Sequence, residues 1–322
     1  MKVMVLGATG FIGPPLMAAL AAMGHDPLGV ARRGGEGAPF PVVSLDRSDA
    51  AAVAALAERE RVEAVVDLLA MTLAGTAPLL AALAGRVGRY AMASSGDVYR
   101  RYGALHRLEP DPDAGGPLTE DAPLRTRLHP YRAEPRRPAD DPAAWMDDYD
   151  KIPIEGAAAA QTGLPAVAVR LPMVFGPGDR QRRFAWAIRP LLAKASAIEL
   201  DAAWAAWRTT YGYVEDVAAG LALAATHPAA QGAYNLGLAE APDHLGWAER
   251  FAAATGWTGE LRTIPRAAVR EPLRGQLDGL DLALPLVTDT GRTRAELGYD
   301  EPTEPSEALA RTVADEARRA AQ

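Results

Sequence analysis

Short apolar segments alternate with helical segments along the first half of the chain. The apolar segments are typical of strands buried on both faces: KVMVLG (2–7), DPLGVARRG (26–34), FPVVSLD (40–46), VEAVVDLLA (62–70) and RYAMASS (89–95). Alanine- and leucine-rich stretches of helical character separate them, at 14–25, 49–60 and 76–85. The regular alternation is the pattern of βαβ units. It predicts an α/β fold, a Rossmann-type doubly wound parallel sheet with a smaller C-terminal substrate-binding domain.

The alternation breaks between Gly96 and Met146. Residues 108–142 are rich in proline, aspartate and arginine, a composition that disfavours a regular helix or a central strand. Long loops in compact domains are usually lids, binding loops or disordered segments. The insertion, roughly Gly103 to Ala144, is therefore either a surface decoration or a cover over the substrate.

Helix and strand patterning resumes after the insertion and divides the chain into two parts. We expect residues 1–172 to form a dinucleotide-binding domain, to which residues 209–237 return. Residues 173–208 and 238–322 are expected to form the smaller substrate-binding domain.

The composition narrows the class of protein. The 322 residues carry a net charge of −7, which argues against nucleic acid because phosphate binding requires a clustered basic surface. The chain has no cysteine, so disulfides and thiolate metal sites are excluded, and we expect no metal. Without a long apolar run or a leader pattern, a cytoplasmic protein with no membrane partner is expected. The alanine-rich helix after Pro153 must pack against the sheet or a second subunit, which leaves a homodimer open.

The segment GATGFIG, residues 7–13, follows the first predicted strand and begins the first predicted helix. Gly7, Gly10 and Gly13 permit a tight turn, close approach of the backbone to a pyrophosphate, and close helix packing. The phosphates would lie at the helix N-terminus, where unpaired N–H groups and the dipole favour negative charge. Pro14 and Pro15 fit this position, because first-turn N–H groups lack helical partners. The segment predicts dinucleotide binding.

Arg32 and Arg33 end the second predicted strand, where a carboxylate would bind the ribose hydroxyls of NAD. Guanidinium groups suit a 2′-phosphate instead, so the sequence favours NADP, with NAD as the alternative. Of the 34 basic residues only Lys2, Lys151 and Lys194 are lysines. The two arginines are therefore also compatible with an arginine-rich, solvated surface.

Six further segments have the character of one known family: DRSD (46–49), SSGDVY (94–99), RLPMVFGPGD (170–179), YGYVEDVA (211–218), YNLG (234–237) and TDTGRTRAELGY (288–299). Together with the glycine loop, they resemble the extended short-chain dehydrogenase/reductases, the family of NAD-dependent epimerases and dehydratases. The resemblance covers nearly the whole chain. It implies hydride transfer between a nicotinamide cofactor and a hydroxyl or carbonyl carbon of a sugar-like or other small substrate.

The resemblance also assigns roles to residues. It implies that Ser95 and Tyr149 are catalytic. Cofactor contacts are implied for Gly7, Thr9, Gly10, Phe11, Ile12, Gly13, Asp46, Leu69, Ala70 and Pro172. On the substrate side we expect Asp97, Arg180, Arg183, Trp207 and Arg208, although Trp207 also suits core packing and the arginines also suit solvent.

The family's YxxxK motif is altered in this chain. The sequence from Tyr149 to Glu155 is YDKIPIE, with Pro153 at the expected lysine position and Lys151 two residues earlier. Residues i and i+4 share a helix face, whereas i+2 points away, so Lys151 can serve only if the helix begins late. Proline prefers the first turn and disfavours the α conformation of the residue before it, Ile152. We therefore expect the helix to begin near Pro153, with Lys151 or a water in the missing lysine's place.

These features favour an NADP-dependent oxidoreductase or epimerase. Ser95 would hold the substrate oxygen, Tyr149 would exchange its proton, and Lys151 would be the third catalytic residue. The alternative is a non-catalytic dinucleotide-binding sensor or scaffold that has lost the lysine. The presence of both Ser95 and Tyr149 favours the enzyme, while Pro153 favours the sensor.

Overall fold

A parallel sheet forms the centre of the computed structural model, which describes residues 1–35, 37–110 and 115–321. In these ranges the strands are β1 (Lys2–Leu6), β2 (Asp26–Ala31), β3 (Val42–Ser44), β4 (Ala64–Asp67), β5 (Arg89–Ser95), β6 (Ala166–Leu171), β7 (Met173–Phe175), β8 (Ala197–Asp201), β9 (Tyr211–Tyr213), β10 (Gly232–Asn235) and β11 (Glu260–Ile264). Seven of them make the central sheet, in the order β3-β2-β1-β4-β5-β6-β10, and every pairing is parallel. The strand order reverses between β1 and β4, the position at which doubly wound folds bind ligands. The predicted fold class is confirmed.

Helices cover both faces of this sheet. The helices of the described ranges are α1 (Gly13–Ala22), α2 (Ala50–Arg59), α3 (Leu73–Leu83), α4 (Arg100–Leu105), α5 (Lys151–Ala160), α6 (Ala185–Leu192), α7 (Ala202–Ala205), α8 (Val214–Thr226), α9 (His244–Thr255), α10 (Leu273–Asp278), α11 (Gly291–Leu297) and α12 (Pro305–Ala320). Helices α1 and α8 pack on one face, and α2, α3 and α5 pack on the other. Within these residues, no helix is both long and apolar enough to cross a bilayer.

The alternating direction of side chains along each strand explains why each face of the sheet has its own hydrophobic core. Val3 and Val5 of β1 pack into the core beneath α1 and α8, whereas Met4 and Leu6 pack into the core beneath α2, α3 and α5. All four side chains are fully buried. Because successive side chains point to opposite faces, a strand covered on both faces must be apolar at every position. Polar functional groups can therefore lie only along the rim of the sheet. The carboxyl ends of the strands all lie on one side of that rim.

The C-terminal part adds two small parallel sheets, β7 with β9 and β8 with β11. Around them lies an aromatic core in which the Phe184 ring is 4.6 Å from the Tyr211 ring and 4.8 Å from the Trp247 ring, measured between centroids. This core is continuous with the one beneath α1 and α8. Residues 209–237 supply β9, α8 and β10, and β10 pairs with β6 in the central sheet.

Two local expectations differ from the structure. Helix α4 forms within the stretch whose pattern breaks, directly after a 3₁₀ turn at Gly96–Val98. Helix α5 begins at Lys151, two residues before the predicted start at Pro153, because the Asp150 side chain caps it by accepting the Ile152 N–H at 3.0 Å. Pro153 occupies the first turn, where its missing N–H removes no helical bond. Residues 111–114 of the predicted insertion lie outside the described residues.

We predict opposite effects for alanine at two glycines. Gly156 is exposed in α5, and a Cβ there meets no atom within 4 Å, so Gly156→Ala should stabilise the protein by about 0.5–1 kcal/mol. A Cβ at Gly13 would lie 2.4 Å from the Ala8 carbonyl oxygen, so Gly13→Ala should destabilise it by about 1–3 kcal/mol. Urea and thermal unfolding measure both changes in stability. A Gly13→Ala protein as stable as the wild type would contradict the tight turn described here.

Candidate active site

The glycine turn lies at the carboxyl end of β1. Gly7 has a φ of +93°, a left-handed conformation that favours glycine, and its carbonyl accepts the Gly10 N–H at 2.9 Å. Gly13 is the first residue of α1 and packs directly on the Ala8 carbonyl. Pro14 and Pro15 carry no N–H, and the Leu16 N–H donates to the Ile12 carbonyl at 3.0 Å. In the first turn of α1, the Gly13 N–H and the helix dipole are therefore what would favour an anionic group.

The other predicted cofactor residues surround this turn at the same edge. Arg32 and Arg33 follow β2, and the Arg32 carbonyl accepts the Ser44 hydroxyl at 3.1 Å. Asp46 follows β3, and the Ser48 N–H lowers the pKa of its carboxyl, with a smaller contribution from the Arg32 charge. Six of the predicted cofactor residues are exposed: Thr9, Gly10, Arg32, Arg33, Asp46 and Leu69. Three are half-buried, namely Phe11, Ile12 and Pro172, and Ala70 is buried.

A buried ion pair beneath this turn was not predicted from the sequence. Asp67 ends β4 with no exposed surface, and it accepts the Arg47 Nε at 2.9 Å and the Tyr90 hydroxyl at 2.6 Å. Arg47 also donates to the carbonyl of Gly75 in α3 at 2.8 Å. The signal in the sequence is a carboxylate at the end of an apolar run, since a buried charge must be paired. Through Arg47, these bonds join the loop after β3 to the end of β4 and to α3.

The structure brings Ser95 and Tyr149 together around Asp97. Ser95 ends β5, and its Oγ accepts the Asp97 N–H at 3.2 Å. Tyr149 lies between a 3₁₀ turn at Ala144–Asp148 and α5, with an extended backbone. Its hydroxyl donates to Asp97 Oδ2 at 2.9 Å. Asp97, predicted as a substrate residue, is therefore the direct partner of the predicted acid/base.

The electrostatics favour a neutral Tyr149. Burial raises the pKa of the Tyr149 hydroxyl, the Asp97 charge raises it further, and a hydrogen bond from Ser95 lowers it only in part. Burial also raises the pKa of Asp97, against the opposing effects of Arg125, Tyr149 and Lys151. The phenol therefore keeps its proton at neutral pH and is suited to donate it.

Lys151 turns inwards, onto the backbone of β5 and of the loop after β4. Its Nζ donates to the Ala70 carbonyl at 2.7 Å and to the Ala93 carbonyl at 2.9 Å. Nζ lies 5.5 Å from the centroid of the Tyr149 ring. Burial lowers the pKa of Lys151 from 10.5 to about 8, and the charges of Asp97 and Asp67 oppose this. The ammonium thus contacts the backbone beside the predicted cofactor residue Ala70.

The insertion contacts this site directly. Arg125 is buried and donates from Nη2 to Asp150 at 3.1 Å, and its Nε donates to the Asp97 carbonyl. The His129 N–H donates to Asp150 at 2.6 Å, and the Tyr131 hydroxyl donates to Asp97 Oδ2 at 3.1 Å. Sequence reasoning missed Arg125 and Tyr131, because their surroundings predict only a loop.

Glu155, the last residue of YDKIPIE, binds two neighbouring side chains. It accepts the Ser94 hydroxyl and pairs with Arg170 Nη2 at 2.9 Å. Arg170 Nη1 lies 3.1 Å from the Tyr99 hydroxyl, which donates to Asn235 at 2.6 Å. This network joins α5 to β5, β6 and β10 beneath Ser95.

Four predicted substrate residues do not contact Tyr149. Arg183 Nη1 bonds to Asp179 at 2.8 Å and to the Val174 carbonyl at 2.7 Å. Trp207 is buried, with its Nε1 on the Leu284 carbonyl at 2.8 Å. Arg180 is exposed, and so is Arg208, whose Nε donates to the Ala241 carbonyl at 2.8 Å. Substrate contacts of these four stay predictions.

A family model matches most of the chain. It describes the NAD-dependent epimerase/dehydratase family and matches residues 3–133 and 154–237. The unmatched stretch between the two segments contains Tyr149, Lys151 and Pro153. The unmatched stretch is residues 134–153.

Similar proteins span the whole length of the chain. A 3-diazoavenalumate denitrifying reductase from a Streptomyces species is 29% identical over 320 residues, covering 95% of this chain and 97% of the relative. Among solved structures, MoeE5 in complex with UDP-glucose and NAD has a TM-score of 0.67 at 21% identity, covering 100% of both chains. The UDP-glucose 4-epimerase of Thermotoga maritima with UDP-glucose has a TM-score of 0.68 at 18% identity, again covering 100% of both. At these identities the structural similarity establishes the fold alone.

The buried ammonium of Lys151 predicts a pH-dependent stability. Its pKa is about 8 in the folded protein and near 10.5 in the unfolded chain, so between these values the unfolded state binds more protons. This group's contribution to stability therefore rises with pH across that interval, by about 3 kcal/mol at most. We expect the free energy of unfolding of wild type relative to Lys151→Met to increase between about pH 7.5 and 10.5, measured by urea unfolding.

The exposed Lys194 provides the control, because Lys194→Met should show no such pH-dependent difference. A constant offset between wild type and Lys151→Met would mean that the lysine keeps its ordinary pKa.

Proposed function

The chain belongs to the NAD-dependent epimerase/dehydratase family, and from this premise we propose that it is an NADPH-dependent reductase of a small substrate. Tyr149 donates a proton to a substrate oxygen that Ser95 holds in place. When bound, the reduced nicotinamide supplies the hydride. The 29% identity to a protein named as a reductase supports this class of reaction.

The residues at the carboxyl edge of the sheet fit a dinucleotide. The positive φ of Gly7 and the close packing of Gly13 leave room for phosphates at the start of α1. Two relatives whose solved structures contain NAD or UDP-glucose share this fold. Arg32 and Arg33 stand exposed after β2, where guanidinium groups would bind a 2′-phosphate, and this supports NADP over NAD.

One observation carries the proposal, the hydrogen bond from the Tyr149 hydroxyl to Asp97 at 2.9 Å. A carboxylate disfavours a phenolate beside it. Asp97 is the hydrogen-bond partner of the hydroxyl, whereas Lys151 Nζ lies 5.5 Å from the centroid of the Tyr149 ring. A reaction that begins by removing a proton from a substrate hydroxyl requires the phenolate. A reduction starts from the neutral phenol, the form that this arrangement holds at neutral pH. This starting state supports reduction as the proposed reaction.

Aromatic rings around Tyr149 support a planar substrate. The Tyr131 ring lies 5.2 Å and the Trp145 ring 6.2 Å from the Tyr149 ring, measured between centroids. Trp145 is 48% exposed, unusual for so large an apolar side chain. Rings in this position would pack against an aromatic or conjugated carbonyl compound.

We predict that NADPH binds more tightly than NADH. Replacing both Arg32 and Arg33 by alanine should weaken NADPH binding by about 10- to 100-fold, which corresponds to a loss of about 1.4–2.8 kcal/mol of charge-assisted bonding to the phosphate for the two exposed arginines together. Binding of NADH should change little. Fluorescence or calorimetric titration of each cofactor measures this. Arg86→Ala, at the opposite end of the strands, is the control, and equal affinities unchanged in the double variant would overturn the preference.

We predict that NADPH is consumed with a carbonyl substrate and that Tyr149 is required. Absorbance at 340 nm would be followed with aromatic aldehydes, conjugated ketones and UDP-glucose. Tyr149→Phe should lower turnover by about 100-fold or more, because it removes the proton donor and keeps the ring. Tyr234→Phe, on β10, is the matched control.

Two results would redirect the assignment. Interconversion of UDP-sugars without net consumption of NADPH would favour an epimerase. Tight NADPH binding without turnover of any compound would favour the sensor.

A further inference from the structure

Two further tyrosine hydroxyls extend the Asp97–Tyr149 pair, that of Tyr102 in α4 and that of Tyr131 in the insertion. Tyr102 donates to the Tyr131 hydroxyl at 2.9 Å, and Tyr131 donates to Asp97 Oδ2 at 3.1 Å. Tyr149 donates to the same oxygen at 2.9 Å. Four oxygen-bearing groups thus form one continuous chain of hydrogen bonds.

The residues of this hydrogen-bonded series differ in exposure. Tyr149 and Asp97 are 8% and 5% exposed, whereas Tyr131 and Tyr102 are half-buried. The Tyr102 ring also contacts the ring of His106, 4.4 Å away between centroids, and His106 is half-buried as well. Hydrogen-bonded hydroxyl groups of this kind can pass a proton without moving their side chains.

Asp97 faces two cationic side chains and two tyrosine hydroxyls. Arg125 of the insertion lies 4.0 Å from Oδ1, Lys151 of α5 acts on it electrostatically, and Tyr131 and Tyr149 bond to Oδ2. Oδ1 is buried without a hydrogen-bond partner among the described residues. Burial raises the pKa of Asp97 above its ordinary value, so this carboxyl takes up a proton more readily than a surface aspartate.

Lys151 does not offer an equivalent route. Its Nζ is occupied by the carbonyls of Ala70 and Ala93, and the structure gives it no hydrogen bond to the Tyr149 hydroxyl. The partner that the hydroxyl does have is Asp97.

We propose that Asp97, Tyr131 and Tyr102 form a proton relay that returns a proton to Tyr149 after each turnover. The inference rests on the proposed reductase function, which consumes one hydride and one proton. Tyr149 gives its proton to the substrate oxygen and becomes a phenolate. Tyr102 takes a proton from water, Tyr131 passes a proton to the Asp97 carboxylate, and the carboxylic acid formed in this way reprotonates the phenolate. Tyr131 and Tyr102 are positioning residues here, since they act through Asp97.

The first test requires no substrate. With tyrosine labelled at ¹³Cζ, NMR titration follows each hydroxyl. The Tyr149 signal of wild type should respond to the ionisation of Asp97 at low pH, and this step should disappear in Asp97→Asn. In Asp97→Asn the pKa of Tyr149 should fall by at least about one unit, since the neighbouring negative charge is gone. Tyr131→Phe should shift the low-pH step, whereas Tyr234→Phe should leave it unchanged.

The second test uses stopped-flow NADPH oxidation with cinnamaldehyde as the probe. In Tyr131→Phe the first turnover should keep about its wild-type rate, and steady-state kcat should fall by about tenfold with KM little changed. The solvent deuterium effect on kcat should rise at the same time. Equal losses in the first and later turnovers would overturn the relay and leave Tyr131 a structural residue.

The two tests separate the relay from the function on which it rests. If wild type does not oxidise NADPH with this probe or with the wider carbonyl panel, the proposed function fails. If the NMR titration of Tyr149 is the same in wild type, Asp97→Asn and Tyr131→Phe, the relay is overturned, whatever the enzyme reduces.

Discussion

The cap of α5 at Asp150 determines the geometry of the whole site. The Asp150 side chain is fully buried and accepts bonds from the Ile152 N–H, the Arg125 guanidinium and the His129 N–H. Because these bonds fix the helix start, Tyr149 lies before the helix in an extended conformation and Lys151 is its first residue. The rule that residues i and i+4 share a face therefore does not apply to Tyr149. Lys151 can turn towards Ala70 and Ala93 while Tyr149 turns towards Asp97.

The same cap makes the insertion part of the site. Asp97 and Asp150 are buried carboxyls, and an unpaired buried charge costs several kcal/mol, on the order of 3–5 when a partner is removed. Arg125 lies between them and Lys151 lies nearby, so two cations balance two carboxyls. Arg125 belongs to the insertion. A chain without this segment would have to change Asp97 and Asp150 as well, which explains why the long loop and the altered motif occur together.

The sequence predicts the sheet better than the site. Strand periodicity and the glycine turn are local features, and they lead directly to the doubly wound fold and the turn at Gly7. The pairing of Ser95 with Tyr149 followed from the family resemblance, since the two lie far apart along the chain. The inward turn of Lys151 was expected from Pro153, but the helix start was placed two residues late because the capping of Asp150 was not recognised. Arg125 and Tyr131 lie 28 and 34 positions after Asp97 in the sequence, and no periodicity around them predicts that they return to it.

In this chain the hydrogen-bond partner of the Tyr149 hydroxyl is a carboxyl group, that of Asp97. An ammonium next to a tyrosine stabilises the phenolate and permits proton transfer in both directions. A carboxyl in the same position stabilises the phenol, so the hydroxyl gives up its proton only when a strong acceptor forms on the substrate. Such an acceptor forms when hydride reaches a carbonyl carbon and leaves negative charge on oxygen. The contact between Tyr149 and Asp97 can change the protonation state of the hydroxyl while the fold, the glycine turn and the serine remain unchanged. The chemistry of such a site therefore depends on the partner of Tyr149 as well as on the architecture that holds it.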